Sequence, residues 1–175
     1  TANFTTGQLC LCLPASLCPA ATPGGGVIPN LPAWQILDIS EKFSIGTIID
    51  ECDSAFDNPV TGRNSYLKLL EKIHQKGRFI FAYNGSPLGY CAFYANDTEQ
   101  KRAYISLIAV APKYQKMHIG AGLLRESFEI MRTYGMQYCL LEVRKNNINA
   151  IQFYERNQFI MVDERAESYL MKCKL

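Results

Sequence analysis

The sequence predicts a mixed α/β fold in which helices cover both faces of a central sheet. Apolar residues recur with helical spacing in several segments, and strand-like segments lie before, between and after them. The predicted order is β-α-α-β-β-β-α-β-α-β-β. The three consecutive strands in the middle contain Asn84-Gly85, a strong hairpin signal, so this part of the sheet is expected to be antiparallel. Helices between the other strands are typical of a sheet covered on both sides.

Composition excludes several classes of protein. The 175 residues suit one domain, and 18 basic residues nearly balance 16 acidic ones, so no nucleic-acid partner is expected. No apolar run approaches the roughly 20 residues that a membrane-spanning helix needs, so no membrane association is expected. The seven cysteines form no metal-binding pattern, and four look like small core residues: Cys52, Cys91, Cys139 and Cys173. A reducing, cytoplasmic setting is the simplest expectation.

The N-terminal segment differs in composition from the rest of the chain. Residues 1–37 contain no Asp, Glu, Lys or Arg, but they include five prolines and three adjacent glycines. A secretory signal is disfavoured because basic residues are missing and prolines interrupt the apolar run. We therefore expect a linker or tail over 1–33, packed on its own domain or on a neighbouring chain, and a compact domain over 34–175.

The compact domain begins with a predicted strand at 34–39. Asp38 and Glu41 have the spacing of a capping box for the helix that follows. One apolar stripe marks this helix: Ile45, Ile48, Ile49, Cys52 and Phe56. The turn Asp57-Asn58-Pro59 ends it. A second helix ends at Gly77 and carries Tyr66, Leu69, Leu70 and Ile73.

The remaining elements alternate between strands and helices. Strands are predicted at 78–83, 87–94 and 103–110, with a polar turn at 96–101. A helix begins near Ile119 or Gly120 and ends around Tyr134-Gly135. Strand 136–144, helix 147–156 and strand 159–162 follow. Residues 168–175 close the chain as an edge or hairpin strand.

The segment from Val110 to Leu124 has the pattern of an anion-binding turn. An apolar strand ends at Val110, a short polar loop follows, and then a helix begins. Such a turn directs consecutive backbone N–H groups and the positive end of the helix dipole at one point, which suits a pyrophosphate. Gly120 and Gly122 allow the backbone to approach a ligand closely, although glycines at a helix start can also serve packing alone.

Two motifs, read together, resemble those of the GNAT superfamily of N-acetyltransferases. The first is Val110-x-Pro112-x-Tyr114-Gln115-x-x-His118-Ile119-Gly120-x-x-Leu123-Leu124. It resembles the acyl-coenzyme-A loop of that family, Gln/Arg-x-x-Gly-x-Gly/Ala, with His118 where the family usually has glycine. The second is Leu141-Glu142-Val143-Arg144-x-x-Asn147-x-x-Ala150-x-x-x-Tyr154-x-x-x-x-Phe159, with Gln158 in place of the usual glycine. The resemblance covers about residues 34–175.

The resemblance implies a fold and a set of contacts to acetyl-CoA. The GNAT fold has a central, mostly antiparallel sheet of six to seven strands, a splay between the fourth and fifth strands, and four flanking helices. The implied coenzyme-binding residues lie on the fourth strand, the loop and the two following helices: Ile108, Ala109, Val110, Gln115, Lys116, Met117, His118, Ile119, Gly120, Ala121, Asn147, Ala150 and Tyr154. Three flanking cations could meet the 3′-phosphate: Lys113, Lys116 and Arg125.

The resemblance also implies catalytic roles. Tyr154 corresponds to the general acid that reprotonates the coenzyme thiolate, and the alternative is an aromatic residue that completes the core. Asn147 is implied to contact the pantetheine arm, and it can also cap its helix. The family polarises the thioester with a backbone N–H at a strand bulge, here at about 108–110.

Glu142 is the best candidate for the base that deprotonates the amine. The Leu-Glu-Val plus Tyr arrangement resembles the ribosomal-protein N-terminal acetyltransferases, in which the matching Glu is the base. The alternative is a strand carboxylate paired with Arg144 on the same face of the sheet. Asp97, Glu99, or a water held by Tyr104 or Ser106 are the fallback bases.

These features lead to the expectation of an acetyl-CoA-dependent N-acetyltransferase that acts on a primary amine of a small molecule or amino sugar. Transfer is expected to be direct, within a ternary complex and without a metal. The alternatives are a protein N-terminal acetyltransferase of the ribosomal-protein type and a non-catalytic acyl-CoA-binding module. The chain is expected to be a monomer or homodimer. Acceptor specificity is expected to reside in the first two helices and in the loops at 57–65 and 96–102.

Overall fold

The computed structural model describes residues 35–38, 44–53, 61–62 and 64–175. Several predicted features lie outside these residues: the tail at 1–33, Trp34, Glu41, Phe56 and the helix-ending turn at 57–59. Within the described residues, seven strands and four α-helices follow one another in the predicted order. The mixed α/β class is therefore confirmed.

The seven strands form one sheet in the order β1-β2-β3-β4-β5-β7-β6. Every neighbouring pair is antiparallel except β4 and β5, which are parallel. The strand bounds are β1 Gln35–Asp38, β2 Arg78–Tyr83, β3 Pro87–Asp97, β4 Arg102–Val110, β5 Tyr138–Arg144, β6 Ile160–Glu164 and β7 Ser168–Lys174. The final strand pairs with β6 as a hairpin, as predicted, but it lies between β5 and β6, so β6 and not β7 is at this edge of the described sheet.

The helices cover the two faces of the sheet, and each face has its own core. Their bounds are α1 Ile45–Cys52, α2 Tyr66–Lys76, α3 Ile119–Thr133 and α4 Ile148–Arg156. Helices α1 and α2 pack on one face against Phe79, Phe81 and Tyr90. Helices α3 and α4 pack on the other face. The four core cysteines are buried as expected, Cys52 on the first face and the other three on the second. No described helix combines the length and apolar character needed to cross a membrane.

The predicted capping box of α1 is wrong. Asp38 is the last residue of β1, and its carboxylate pairs with Arg78 at 2.9 Å. The residue that caps α1 is Ser44, whose side chain accepts a hydrogen bond from the Thr47 N–H at 3.1 Å. The N-cap of α1 therefore lies six residues after Asp38, at a serine, which is a preferred N-cap residue.

The sheet opens between β4 and β5, which confirms the predicted splay. The two strands pair only from Arg102 and Tyr138 to Ile105 and Leu141. Beyond Leu141, β5 continues to pair with β7 through Arg144 but no longer pairs with β4. We call the gap between residues 106–110 of β4 and residues 142–144 of β5 the seam.

A β-bulge on β4 lies at the start of the seam. Ala92 of β3 is opposite Leu107 and Phe93 is opposite Ile105, so Ser106 is an extra residue. The bulge interrupts the alternation of the strand, and Ser106 and Leu107 both line the side covered by α2. The predicted bulge position, 108–110, is therefore about two residues too late.

Beyond the bulge, β3 and β4 approach each other closely at Gly89. This residue is opposite Val110, and a Cβ atom on it would lie 2.6 Å from the Ala109 carbonyl oxygen. Only glycine fits at this position without moving β4 at the seam.

We expect Gly89→Ala to lower the free energy of unfolding by about 1–3 kcal/mol, because the added methyl overpacks two backbones. Gly46→Ala is the matched control, since its Cβ would meet nothing closer than 3.7 Å in helix α1. There the same change should stabilise by about 0.5–1 kcal/mol, because alanine loses less backbone entropy than glycine in a helix. Urea unfolding of both variants measures the difference, and equal effects would contradict this assignment of Gly89.

Candidate active site

Two backbone positions of β4 face the seam. The Ala111 N–H donates to the Leu88 carbonyl of β3 at 2.9 Å. Because the direction of hydrogen bonding alternates along a strand, Ala109 also points its N–H and C=O toward β3. Ile108 and Val110 point theirs the other way, toward the seam. Of the three strand residues predicted to bind the coenzyme, these two offer backbone groups to a ligand and Ala109 does not.

The side chain of Gln115 closes one end of the seam. Its Nε2 donates to the Val110 carbonyl at 3.2 Å. Gln115 therefore satisfies a backbone acceptor that the opening of the sheet leaves without a strand partner. Among the described residues of β4, Ile108 and Val110 both direct a backbone N–H toward the seam.

The loop between β4 and α3 forms the predicted turn. A short 3₁₀ segment at Pro112–Tyr114 leaves the strand, and α3 begins at Ile119. Lys116 and His118 both have positive φ, 64° and 61°. His118 thus takes the left-handed conformation that glycine usually provides, as histidine can. The first N–H groups of α3, at Ile119, Gly120 and Ala121, have no partner within the helix and are available to an anion.

Gly120 lies where two helices meet. A Cβ at this position would stand 3.2 Å from the Phe153 ring of α4 and 3.6 Å from the Val110 side chain. Gly120 therefore brings the start of α3 close to both α4 and the end of β4. Packing and ligand access both favour glycine here, and the two reasons do not compete.

Helix α4 is held at both ends. Asn147 caps it, accepting from the Ala150 N–H at 3.1 Å, and its side-chain Nδ2 remains as a donor. At the other end Phe159 N–H donates to the Tyr154 carbonyl at 3.0 Å, and Gln158 N–H donates to the Glu155 carbonyl at 3.0 Å. These bonds form a Schellman motif, which requires a left-handed residue, and Gln158 supplies it with φ 68°.

Tyr154 is buried under the sheet near the seam. Its ring packs against Phe153 and Phe159, with centroids 5.4 and 5.6 Å away. Burial raises the pKa of its hydroxyl well above the usual range, and the neighbouring Cys91 and Cys139 thiols and Tyr104 act in the same direction. The phenol is therefore neutral at physiological pH and can donate a hydrogen bond. Tyr154 therefore completes the core, and its hydroxyl remains a hydrogen-bond donor, while its role as a general acid stays a prediction.

Glu142 lies on the opposite face from Tyr154 and has partners that the sequence did not indicate. Arg165 donates from Nη1 to one carboxylate oxygen at 2.6 Å, and the buried Ser168 hydroxyl donates to the other. The alternative pairing with Arg144 is therefore wrong. Each carboxylate oxygen keeps a second lone pair, and the side chain is 35% exposed, so Glu142 can still accept a further hydrogen bond.

Tyr104 lies close to Glu142, just before the start of the seam. Burial raises the pKa of its hydroxyl, Glu142 acts in the same direction, and Arg165 opposes them. Tyr104 is paired in register with Leu140, so the next positions along the two strands bring Ser106 and Glu142 to opposite sides of the seam. Arg165 and Ser168 were missed because they lie 23 and 26 residues from Glu142 in sequence.

Asp97 does not qualify as the fallback base. Its carboxylate caps the Gln100 N–H at 3.1 Å and pairs with Arg102 at 2.8 Å. These hydrogen bonds lower its pKa. Arg102 is four residues from Ser106 on β4, so this turn, with Glu99, lies roughly 13 Å from the seam at the usual strand rise.

A groove runs between α2 and the bulge of β4, and we call it the α2 groove. It has a volume of about 330 Å³ and is lined by Tyr66, Lys68, Leu69, Lys72, Ser106 and Leu107, with Ser65 at its end. Lys72 Nζ lies 5.0 Å from the centroid of the buried Tyr94 ring. Burial raises the pKa of the Tyr94 hydroxyl, and the Ser106 hydroxyl acts in the opposite direction. Ser106 lines the groove, so Tyr94 lies beneath it. Because Ser106 also borders the seam, the α2 groove leads to it.

The three flanking cations are all exposed. Lys113 stands 4.7 Å from the centroid of the Tyr114 ring, Lys116 is in the loop, and Arg125 is on α3. Their positions around the start of α3 suit an anionic group in solution. Within the described ranges no group of His, Cys, Asp and Glu side chains could hold a metal ion.

Comparison with protein families gives one matching model. It is described as the acetyltransferase (GNAT) family and matches residues 45–159. That range contains the seam, the loop, Glu142 and Tyr154.

Three curated relatives are each 32% identical to part of the chain. An uncharacterised N-acetyltransferase of Methanocaldococcus jannaschii matches over 98 residues, 54% of this chain and 43% of its own. N-alpha-acetyltransferase 30 of Schizosaccharomyces pombe matches over 69 residues, 39% of this chain and 46% of its own. Spermidine N(1)-acetyltransferase of Thermoplasma acidophilum matches over 80 residues, 46% of this chain and 47% of its own. The chain thus spans less than half the length of these relatives.

Solved structures share the fold. The PaiA N-acetyltransferase of Thermoplasma acidophilum, in complex with coenzyme A, superposes with a TM-score of 0.71 at 22% identity, covering 82% of this chain and 100% of that one. The ribosomal-protein-S18-alanine N-acetyltransferase of Escherichia coli gives a TM-score of 0.68 at 19% identity, covering 81% of this chain and 94% of that one.

Proposed function

The chain belongs to the GNAT family of acetyltransferases, and on that premise we propose that it transfers an acetyl group from acetyl-CoA to a primary amine of a small molecule or amino sugar. The observation that carries this proposal is the seam. It exposes backbone groups of Ile108 and Val110 beside a buried phenol, Tyr154, and the amide-rich start of α3 lies at its end. A linear thioester with a pyrophosphate at its far end suits this arrangement.

The parts of acetyl-CoA would be bound by different elements. The first N–H groups of α3 would receive the pyrophosphate, aided by the helix dipole. The pantetheine amides would meet the seam-facing backbone of Val110 and the Nδ2 of Asn147. The thioester carbonyl would accept from the Ile108 N–H, which polarises it for attack.

The reaction then needs two proton movements. The amine nitrogen attacks the thioester carbonyl carbon, the C–S bond breaks, and its electron pair leaves on sulfur. One proton must leave the attacking nitrogen, and Glu142 or a water that it holds would take it. Tyr154 would donate a hydrogen bond to the departing thiolate, whose usual pKa of about 8.5 makes it a fair leaving group.

A peptide N-terminus is the second candidate acceptor. The position of Glu142 on the opposite face of the sheet from Tyr154 favours it, because the sequence around both residues resembles the ribosomal-protein N-terminal acetyltransferases. N-alpha-acetyltransferase 30 is among the relatives, and the ribosomal-protein-S18-alanine N-acetyltransferase is among the structures that share the fold. An α-amino group is also less basic than a lysine side chain, so it gives up its proton more readily to a single carboxylate.

The first test concerns the start of α3. We expect Gly120→Asp to weaken coenzyme A binding at least about tenfold more than Gly120→Ala, because a carboxylate would face the pyrophosphate at short range. Both variants place a Cβ against Phe153, so the alanine variant controls for packing. Titration calorimetry with coenzyme A gives both affinities. If the two variants bind equally well, the pyrophosphate does not lie at Gly120.

The second test concerns Tyr154. Tyr154→Phe keeps the ring contacts with Phe153 and Phe159 but removes the donor, so kcat should fall about 100-fold while coenzyme affinity stays nearly unchanged. Tyr134→Phe, at an exposed tyrosine that ends α3, is the control and should keep the wild-type rate. An unchanged kcat in Tyr154→Phe would show that the residue serves the core alone.

The third test concerns Glu142. Glu142→Gln should lower kcat/KM strongly at pH 7, where the amine is mostly protonated and needs a base. Raising the pH toward the amine pKa, about 7.7–8.0 for an α-amino group, should restore part of the rate, because bulk water then supplies the neutral amine. Glu129→Gln, at another ion-paired carboxylate, is the control. A wild-type rate and pH profile in Glu142→Gln would place the base elsewhere.

A further inference from the structure

We propose that the acceptor is a small primary amine that also carries an anionic group, a phosphate or a carboxylate, and that Lys68 and Lys72 of the α2 groove bind this group. The inference rests on the acetyl transfer proposed above and adds the chemical class of the acceptor. It follows from the position of the α2 groove and from the charges that line it.

The α2 groove is the path by which a small amine would reach Glu142. Ser106 borders the groove, and it follows Ile105, whose partner Leu141 precedes Glu142, so Ser106 and Glu142 begin the two sides of the seam. An amine that approaches the carboxylate therefore leaves the rest of its molecule beside Ser106. The volume of about 330 Å³ suits a molecule of sugar or dipeptide size.

The described residues lining the α2 groove include two cations and no carboxylate. Lys68 and Lys72 lie one helical turn apart, four residues, so both ammonium groups can face the same ligand. Neither of them forms an ion pair with a described residue at 4 Å or less. Two adjacent like charges with no such partner favour an anion.

The carboxylates near the groove do not line it. Burial raises the pKa of the Tyr66 hydroxyl, and the neighbouring Asp50 and Asp53 carboxylates act in the same direction. Asp53 accepts from the backbone of Thr61 at 3.1 Å. Glu71, on α2 itself, accepts from Gln75 at 3.1 Å and does not line the groove. Across the seam, Arg165 pairs with Glu142. A polyamine would therefore bring its second cation against two lysines, which is unfavourable.

The experiment compares acceptors that share an amine and differ in charge. Glucosamine 6-phosphate is compared with glucosamine, alanyl-aspartate amide with alanyl-alanine amide, and spermidine serves as the cationic acceptor. Coenzyme A thiol release is followed with the wild type, with a Lys68→Gln/Lys72→Gln double variant, and with Lys76→Gln as the control on the same helix but outside the groove. All three lysines are exposed, and melting temperatures verify folding.

For wild type we expect kcat/KM to be about tenfold higher for the anionic member of at least one pair, with the preference falling as salt rises. The pair that shows the preference identifies phosphate or carboxylate as the group. The double variant should lose the preference through KM and keep its rate with the neutral member, while Lys76→Gln keeps both.

The remaining results distinguish a failure of this inference from a failure of the proposed acetyl transfer. Turnover of both members of each pair at equal kcat/KM, a preference for spermidine, or equal losses in Lys76→Gln would overturn the acidic acceptor and leave acetyl transfer standing. Thiol release with none of the amines would contradict acetyl transfer itself, and the acidic acceptor with it.

Discussion

The separation of β4 from β5 is the constraint on which the rest of the site depends. A parallel pair that stops pairing part way leaves backbone N–H and C=O groups inside the protein, and such groups need partners. On β4 the Gln115 side chain takes the Val110 carbonyl, while the Ile108 N–H faces the seam. The incomplete pairing of β4 with β5 therefore leaves backbone groups facing the seam.

The helices beside the seam show where the chain accepts backbone strain. Lys116, His118 and Gln158 are non-glycine residues with positive φ, and each lies where a helix starts or ends next to the site. Residues held in this region are costly and persist where the surrounding structure requires them. The left-handed conformation of His118 leaves the start of α3 open. That of Gln158 forms a Schellman motif, which fixes the end of α4 and therefore the position of Tyr154.

The two faces of the sheet have different electrostatic characters, and the seam joins them. On the α3 and α4 side, Tyr154 lies among buried thiols and aromatic rings, which keeps its hydroxyl neutral. On the α1 and α2 side, Glu142 is held by Arg165 and Ser168, and two lysines line the α2 groove. A buried hydrogen-bond donor and a partly exposed carboxylate are thereby kept on opposite faces of the sheet.

The sequence by itself determined the order of the elements and the local chemistry of the site. Helical and alternating periodicities depend on near neighbours, and so do the loop before α3, the cap at Asn147 and the left-handed turn at His118. Only the tertiary structure decided the rest. The bulge at Ser106 depends on the register between β3 and β4. The place of β7 inside the sheet and the partners of Glu142 depend on contacts between residues more than 20 positions apart. Sequence spacing carries no information about such contacts, because the sheet brings these residues together only after every strand has paired.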